Sequence, residues 1–464
     1  MKVQNNAATS GNPLGILPVN KLMKKFALPS IVAMMVSAVY NIVDQLFIGQ
    51  AVGTLGNAAT NIAFPLAMMC TAIALMFGIG GASTFNLTLG AGDDKKAPYF
   101  VGNAITGLVG FGTLLCLLVE LFLRPMLIGF GSPADVLPYA LAYVRITAIG
   151  FPFLILTIGG GHLIRADGSP NMTMLCNLSG AIINVFLDAL FVMGFGWGME
   201  GAALATIMGQ FFSAGLAIRY LMHYKTVPLR LEHLKPRGEC FSFIAKIGAA
   251  SSINQMAMMV VQILLNNSLK HYGAQSVYGE AIPIACAGIV TKCNQLFFSV
   301  VIGLSQGSQP IESFNYGAKK YNRVREAYRF AIVAGFIISV IAFALFQLVP
   351  RQIIGLFGEG SEEYYRFAVS YFRIYLFFTW ANCVQPITAT FFTSIGKPKK
   401  GTFCSLTRQI IFLVPLILIL PLFMGIDGIL FAGPIADCLA VTVTTLMAWF
   451  EFKAMRKLEL GAVS

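Results

Sequence analysis

The sequence has few charged side chains. Asp, Glu, Lys and Arg together make up 11% of its 464 residues, whereas a soluble domain carries about 25%. Apolar residues make up 57%, and the mean hydropathy is +0.74. This composition excludes an ordinary soluble protein and predicts a polytopic membrane protein.

The motifs of most catalytic and metal-binding proteins are also missing. The four histidines are scattered, and the nine cysteines form no C-x-x-C pair and fall mostly inside apolar segments. Neither a Walker A lysine pattern nor an H-E-x-x-H motif is present. The sequence therefore does not favour a metal centre, a disulfide framework or an ATP-driven pump. We expect no enzyme activity and no cofactor.

The net charge of +12 comes from basic residues that lie in short loops between apolar runs. Twenty-five of the 32 Lys and Arg, including Arg408, fall on the side that would be cytoplasmic if the N-terminus is inside, and four fall on the other side. The remaining three, Arg145, Lys292 and Arg373, lie within apolar runs. By the positive-inside rule this predicts an inner (cytoplasmic) membrane protein with both termini in the cytoplasm, and it argues against a nucleic-acid partner.

Twelve apolar runs are long enough to span a bilayer. The first follows Lys24 and Lys25, is too long for a signal peptide and is expected to be retained. The predicted spans are 26–48, 58–82, 99–122, 138–159, 172–193, 201–221, 243–268, 279–302, 329–349, 364–392, 402–423 and 428–450.

The two halves of the chain resemble each other at a shift of about 228 positions. Four pairs of segments match in the same order: 80–91 with 307–318, 143–145 with 371–373, 168–170 with 396–398, and 200–201 with 427–428. We therefore predict an all-α protein of twelve transmembrane helices, in two six-helix repeats around a central cavity. The predicted parts are a cytoplasmic tail 1–25, an N-lobe 26–221, a cytoplasmic linker 222–242, a C-lobe 243–450 and a cytoplasmic tail 451–464.

A polar stripe runs along the fifth predicted span. Asn177, Asn184 and Asp188 share one helical face in an otherwise apolar run. Charged residues inside membrane spans are costly and usually mark a functional site. The next span turns back and should bring Thr206 to the depth of Asp188.

The first predicted span carries a matching face with Ser37, Tyr40, Asn41 and Asp44. A rise of about 1.5 Å per residue places Asp44 in the outer half of the membrane, at a depth similar to that of Asp188. Two carboxylates close together in a low dielectric cannot both stay ionised without compensation, so the pair is expected to share a proton or to hold a cation. Asn184 and Thr206 would add the neutral oxygens that Na⁺ requires. The alternative is a structural hydrogen-bond network between the three helices.

Other polar groups inside the spans are further candidates for substrate contact or coupling. Asp437 and Lys292, both in the second half, are candidates for a long-range ion pair, although Lys292 is near enough to the inner interface to reach it. Arg145 and Arg373 are repeat mates and are interpreted first as structural anchors. Met residues in the first and seventh spans could line a substrate cavity, or they could simply pack or face lipid.

The chain resembles the multidrug and toxic compound extrusion (MATE) family from about Leu28 to Phe452. The resemblance is carried by VYNIVDQLFIGQAVG, NVFLDALFV, GAALAT, GLSQGSQPIESFNYGAKK and FFTSIGKPKKG. It implies a cation-coupled drug exporter with its cation site at Asp44, Asn184, Asp188 and Thr206. Some branches of the family carry a carboxylate on the seventh span, but 244–269 contains none here, so the resemblance implies coupling through the first lobe.

The resulting hypothesis is a Na⁺- or H⁺-coupled antiporter that exports small amphipathic compounds, chiefly cationic, by alternating access. We expect a monomer in contact with membrane lipids. A flippase for lipid-linked oligosaccharides would need a strongly cationic cavity, which only Arg145, Lys292 and Arg373 could supply. A channel or a membrane enzyme remains the alternative from another class.

Overall fold

The computed structural model describes residues 12–130, 132, 134–279, 281–356 and 361–461, and every regular element in these ranges is helical. Within them, ten helices are long and apolar enough to cross a membrane, and a bent pair makes an eleventh span. Apart from a one-turn helix at Pro13–Ile16 and four short 3₁₀ or π segments, the helices are α1 Val19–Ala51, α2 Thr54–Gly90, α3 Ala97–Gly129, α4 Leu137–Ile149, α5 Phe151–Ala166, α6 Pro170–Asp188, α7 Gly198–Leu221, α8 Gly238–Ala274, α9 Ala281–Gly317, α10 Tyr321–Leu348, α11 Pro350–Gly355, α12 Glu362–Tyr375, α13 Val384–Ser394, α14 Pro398–Leu406, α15 Val414–Met424 and α16 Ile426–Gly461.

The predicted span 138–159 is a bent pair. The axes of α4 and α5 meet at 54°. Pro152 lies in the first turn of α5, where its missing N–H costs nothing, but the same residue in a continuous helix would lose a hydrogen bond and clash with the preceding turn. The chain therefore bends at Gly150.

The predicted span 364–392 is also not one continuous helix. It consists of α12, a short 3₁₀ turn at Thr379–Ala381, and α13. Pro386 lies in the first turn of α13, so an unbroken helix would place its ring against the carbonyl group of Asn382. This break explains why the region does not form a single apolar span.

The prediction of an all-α protein with two lobes is confirmed. Following the internal repeat, we refer to helices α1 to α7 as the N-lobe and to helices α8 to α16 as the C-lobe. The described start and end of the chain lie at the same end of the bundle, because Arg323 donates to the carbonyl group of Leu14 and Arg325 pairs with Glu459 at 2.7 Å. We call this end the terminal face and the opposite end the distal face.

The segment between the lobes is attached to the N-lobe. The side-chain amide of Asn103 in α3 donates to the carbonyl oxygen of His233 at 3.2 Å and accepts from the backbone N–H of Arg237 at 2.7 Å. The predicted linker 222–242 ends within α8, which begins at Gly238. At the other end of the C-lobe, α16 continues to Gly461, so 451–461 of the predicted tail is helical.

The two lobes meet along a seam in the terminal halves of α1, α2, α8 and α9, where glycines of α2, α8 and α9 lie against the backbone of the opposite lobe. A Cβ atom at Gly90 would lie 2.1 Å from the backbone oxygen of Phe314, and one at Gly317 would lie 2.1 Å from that of Leu87. These two contacts are related by the internal repeat. In a second repeat pair, a Cβ atom at Gly80 would lie 2.2 Å from the backbone oxygen of Ile244, and one at Gly307 would lie 2.6 Å from the Cα atom of Ala27. Only glycine permits such a close backbone approach, and the lobes are therefore closed at the terminal face.

We expect that side chains introduced at the glycines of this seam would move the two lobes apart. In the double variant Gly90→Val, Gly317→Val, each new Cβ would overlap a backbone oxygen, which a flexible side chain cannot relieve. Spin labels at the exposed positions Lys95 and Lys399, in a variant without native cysteines, should report a longer distance across the terminal face.

The matched control is Gly110→Val in α3, where a Cβ meets nothing within 4 Å. It should leave the distance unchanged. If the double variant and the control give the same distance distribution, the glycine seam does not set the separation of the lobes.

Candidate functional site

The site begins with two side chains on α6. Asn184 and Asp188 are one helical turn apart and both are buried, with Asp188 0% exposed. Directly after Asp188 the backbone changes to a π-helix over Ala189–Gly194. A π segment is an uncommon, wide turn that often occurs at functional sites. It changes the direction of the following side chains just beyond the carboxyl group.

Helix α1 brings a second carboxyl group to the first. Asp44 is buried, and its carboxyl group interacts directly with that of Asp188. Helices α1 and α6 pack along each other within the N-lobe. Asp44 lies seven residues before the end of α1 at Ala51, so the pair occupies the distal half of the bundle.

Helix α7 completes the cluster with a hydroxyl group. Asn184 donates its side-chain N–H to Thr206 Oγ1 at 3.4 Å. The phenol groups of Tyr40 on α1 and Tyr143 on α4 also approach the Thr206 hydroxyl group. Four helices therefore contribute to one polar cluster inside a single lobe.

Several oxygen atoms of this cluster have no hydrogen-bond donor. Asp188 Oδ1, Asp188 Oδ2, Asp44 Oδ1 and Asn184 Oδ1 are buried and accept no hydrogen bond from any residue that the structure describes. Buried acceptors are nearly always satisfied, and an exception requires an explanation such as an unseen ion or proton. These oxygens are suited to a proton between the carboxyl groups or to a hard monovalent cation.

A cavity of about 140 Å³ reaches the cluster. Its wall includes Asn41, Asp44, Tyr143, Thr206 and Gln210, with apolar residues from α2 and α5. A small ion or a few water molecules would fit in this volume. The carboxyl pair is thus accessible from one side through Asp44, while Asp188 lies behind it.

Two other polar residues on the same helices, Asn41 and Asn177, do not contribute to the cluster. Asn41 lines the cavity, but its side-chain N–H donates to the carbonyl group of Ser37 at 2.7 Å. Asn177 is half-buried on α6, about 16 Å along the helix from Asp188 at 1.5 Å per residue. The structure does not bring Asn177 into the cluster.

In the C-lobe, Asp437 is paired with Arg408 rather than with Lys292. Arg408 Nε donates to Asp437 Oδ1 at 2.5 Å, and Asn382 Nδ2 donates to Asp437 Oδ2 at 2.8 Å. The assignment of Arg408 to a cytoplasmic loop was wrong. This residue lies in a π-helical segment, Thr407–Leu413, and its side chain is 11% exposed. Lys292 is half-buried on α9.

The two repeat-mate arginines face away from the interior. Arg145 and Arg373 are exposed, whereas Tyr143, two positions before Arg145, faces the cavity. Two positions along a helix correspond to nearly opposite faces. Arg145 is therefore not part of the cavity wall.

The sequence of this chain matches a known family of membrane proteins. The MatE family model matches residues 29–190 and 250–419, which is well over half of the chain. The chain belongs to the MatE family of transporters. It is a multi-pass membrane transporter and not an enzyme.

Named relatives and solved structures of this family cover nearly the whole chain. The multidrug export protein MepA of Staphylococcus aureus is 24% identical over 433 residues, 93% of this chain and 94% of the relative. MepA of Staphylococcus saprophyticus is 22% identical over 432 residues, with the same coverage of both chains.

Two solved structures share the fold of this MatE transporter. One is an outward-facing conformation of a multidrug resistance MATE family transporter, with a TM-score of 0.88, 21% identity, and coverage of 98% of this chain and 99% of that chain. The other is a transporter from Pyrococcus furiosus reported to have a binding pocket of reverse polarity, with a TM-score of 0.87, 20% identity and the same coverage. At these identities the likeness shows the fold.

Sequence reasoning missed two features of the site in this MatE transporter. Tyr143 is indicated by the sequence only as part of the repeat segment 143–145, although Tyr143 and Thr147 form a polar i, i+4 pair in an apolar run, which is a usable signal. The π segment after Asp188 has no sequence signal that we can identify.

The paired and unpaired carboxyl groups should respond differently to neutralisation. Asp437→Asn would leave Arg408 buried without its counter-charge, which should cost about 3–5 kcal/mol of stability. Asp188→Asn removes one of two like charges and should change stability little. Thermal unfolding of the purified protein in detergent, at neutral pH, measures both.

The double variant Arg408→Met, Asp437→Leu is the matched control and should recover most of the loss. Equal losses for Asp188→Asn and Asp437→Asn would mean that the Asp44–Asp188 cluster is a structural network, as the alternative interpretation of the sequence holds.

Proposed function

We propose that this MatE transporter is a cation-coupled antiporter that exports small amphipathic compounds, chiefly cationic, by alternating access. The observation that carries the proposal is the Asp44–Asp188 pair, buried in the N-lobe with acceptor oxygens that lack donors. Export of drugs is supported by relatives named as multidrug export proteins, which match over 93% of this chain.

The coupling step follows from the electrostatics of the pair. With neither proton nor cation, two carboxylates repel each other in a low dielectric, and with one bound cation the repulsion is relieved. Binding of a coupling ion and binding of a cationic substrate would therefore compete for the same negative charge. Such competition is the simplest basis for exchange of one for the other.

The coupling ion is Na⁺ or H⁺. A proton needs only the two carboxyl groups, whereas Na⁺ needs several oxygen ligands to replace its water. Asn184 Oδ1 and the Thr206 hydroxyl group add neutral oxygens beside the carboxyl pair. This favours a site that is able to bind Na⁺.

Alternating access is supported by the two-lobed fold. The lobes are in close contact at the terminal face, and the carboxyl pair lies in the distal half. Rocking of one lobe against the other about such a contact is a common transport mechanism for duplicated bundles. The ion site would then be reached from the distal side in the present conformation.

An oligosaccharide-lipid flippase is not favoured by the structure. Arg145 and Arg373 are exposed, and Arg408 is neutralised by Asp437. The described cavity at the site is lined by a carboxyl group rather than by arginine or lysine. A pyrophosphate group would find no cationic partner in that cavity.

Substrate movement in proteoliposomes tests the proposal. We expect the Asp188→Asn variant to transport ethidium at least about tenfold more slowly than wild type. A loss of about 1.4 kcal/mol in the free energy of ion binding already weakens ion binding tenfold. The double variant Asn184→Ala, Thr206→Ala should lose transport driven by a Na⁺ gradient at equal pH but keep transport driven by a pH gradient without Na⁺.

Asn177→Ala is the matched control on the same helix and should transport as wild type does. Wild-type transport by Asp188→Asn would overturn the site. Transport that does not depend on Na⁺ and is retained in the double variant would mean that the site binds only a proton, shared between the two carboxyl groups.

Orientation in the membrane is part of the proposal. We place the terminal face in the cytoplasm, because most lysines and arginines lie at that end of the bundle. Single cysteines at Ala134 and Glu363 should react with a membrane-impermeant thiol reagent on intact cells. Cysteines at Asn322 and Lys399 should react only after permeabilisation. The opposite pattern would place the terminal face outside.

A further inference from the structure

Six acidic side chains are buried in the described part of the chain, and they fall into two groups. They are Asp44, Asp167, Asp188, Glu312, Asp437 and Glu451. Three have strong partners: Asp167 accepts from Tyr220 and two backbone N–H groups, Asp437 pairs with Arg408, and Glu451 pairs with Lys397 and Lys400. The other three are the Asp44–Asp188 pair and Glu312.

Glu312 is the buried acidic residue of the C-lobe for which the described residues offer no partner. It is 0% exposed, and both of its carboxyl oxygens accept no hydrogen bond from the residues that the structure describes. No ion pair to Glu312 is found among those residues. It is five residues before the end of α9 at Gly317, in the terminal half, whereas Asp44 is in the distal half of the other lobe.

The hydroxyl groups near Glu312 have already donated their protons. Ser308 Oγ donates to the carbonyl group of Ser305 at 2.9 Å, and Ser394 Oγ donates to that of Thr390 at 2.8 Å. Both serine side chains lie against Glu312. While they donate to these carbonyl groups, both hydroxyl oxygens can accept a hydrogen bond from a protonated Glu312, and neither serine brings a positive charge to an ionised one.

The other groups around Glu312 do not change this conclusion. The titratable group facing it is the phenol of Tyr328 on α10, which is hydrogen-bonded to Thr388 Oγ1 of α13 at 2.7 Å. A phenol carries no positive charge. An ionised carboxylate in this position would be buried without a counter-charge, which is strongly unfavourable.

The seam between the lobes runs directly beside Glu312. One turn before it, Gln309 Nε2 donates across the seam to Ser83 Oγ at 2.8 Å. Two residues after it, Phe314 meets Gly90 of the N-lobe. Separation of the lobes at the terminal face would remove the cover from this part of α9.

We propose that Glu312 is a second proton-binding site, in the C-lobe, which is protonated while the seam is closed and exchanges its proton when the seam opens. The ligand is a proton, and its acceptors are the Ser308 and Ser394 hydroxyl oxygens. No sequence pattern indicated a carboxyl site in this lobe beyond Asp437. The inference does not depend on ion exchange at Asp44 and Asp188.

Infrared spectroscopy of the purified full-length protein tests the protonation directly. In an Asp44→Asn, Asp188→Asn background at neutral pH, the carbonyl stretch of a protonated carboxyl group should be present and should disappear with Glu312→Gln. Glu451→Gln is the matched control, since Glu451 is buried but paired with two lysines. A band that survives Glu312→Gln, or no band at all, would overturn the proposal.

A second variant keeps the test decisive if Glu312→Gln does not fold. Ser308→Ala with Ser394→Ala removes both acceptors and should shift the band without abolishing it. An unmoved band would contradict the assignment.

The link to the seam is tested in the same background. With Gly90→Val and Gly317→Val added, the band should fall as the buffer is raised from mildly acidic to mildly alkaline pH, while the closed protein should retain it. Identical behaviour of the two proteins would show that the seam does not control the proton on Glu312.

Discussion

An ionised group inside a helical bundle must find a partner within the bundle, and this constraint organises the polar part of the molecule. Because the interior has a low dielectric constant, burying an unpaired carboxylate costs far more free energy than any single hydrogen bond contributes. Asp437 and Glu451 meet the constraint with arginine and lysine partners, and such groups hold helices together. Asp44, Asp188 and Glu312 have no such partner among the described residues, and in the proposals made above they meet the constraint by taking up a proton or a cation.

A second constraint acts on the interface between the lobes. Backbone groups approach each other at Gly90 and Gly317 as closely as the absence of a side chain permits, and the two contacts are copies of each other under the internal repeat. A close-packed interface of this kind is either formed or separated, since partial opening loses contact without admitting water. Under the proposed alternating access, the terminal face would therefore have two discrete states, closed and open.

Local patterns made the fold largely predictable from the sequence. Hydropathy located the spans, and the repeat located the lobes, because both are properties of consecutive residues. The i, i+4 spacing of Asn184 and Asp188 placed two site residues on one face for the same reason. The breaks at Pro152 and Pro386 were present in the sequence as proline signals, but whether an internal proline bends or interrupts a helix depends on how its neighbours pack.

Long-range pairing was not predictable in this way. Arg408 lies in a run that could be assigned to a loop or to a helix, and only the packing of Thr407–Leu413 against α16 brings it to Asp437. Glu312 is in a conspicuous motif, yet the sequence does not show that its serine neighbours donate elsewhere. Tyr143 reaches Thr206 only because α4 and α7 are adjacent. In each case the chemistry of a residue depends on a partner far away in the chain.

The position of α1 bears on how the ion site and the seam could influence each other. This helix contacts the C-lobe where Gly307 meets Ala27 and Gly303 meets Ile31, and it carries Asp44 about 20 Å further along at 1.5 Å per residue. If the N-lobe moved as a rigid body, the separation of Asp44 and Asp188 would not change, and the seam could affect the site only through access of solvent and ions. A ligand shifts an equilibrium only by its difference in affinity for the two states. Coupling of ion binding to the seam therefore requires either a change in the Asp44–Asp188 geometry carried by α1, or a second titrating group at the seam itself, which is where Glu312 lies.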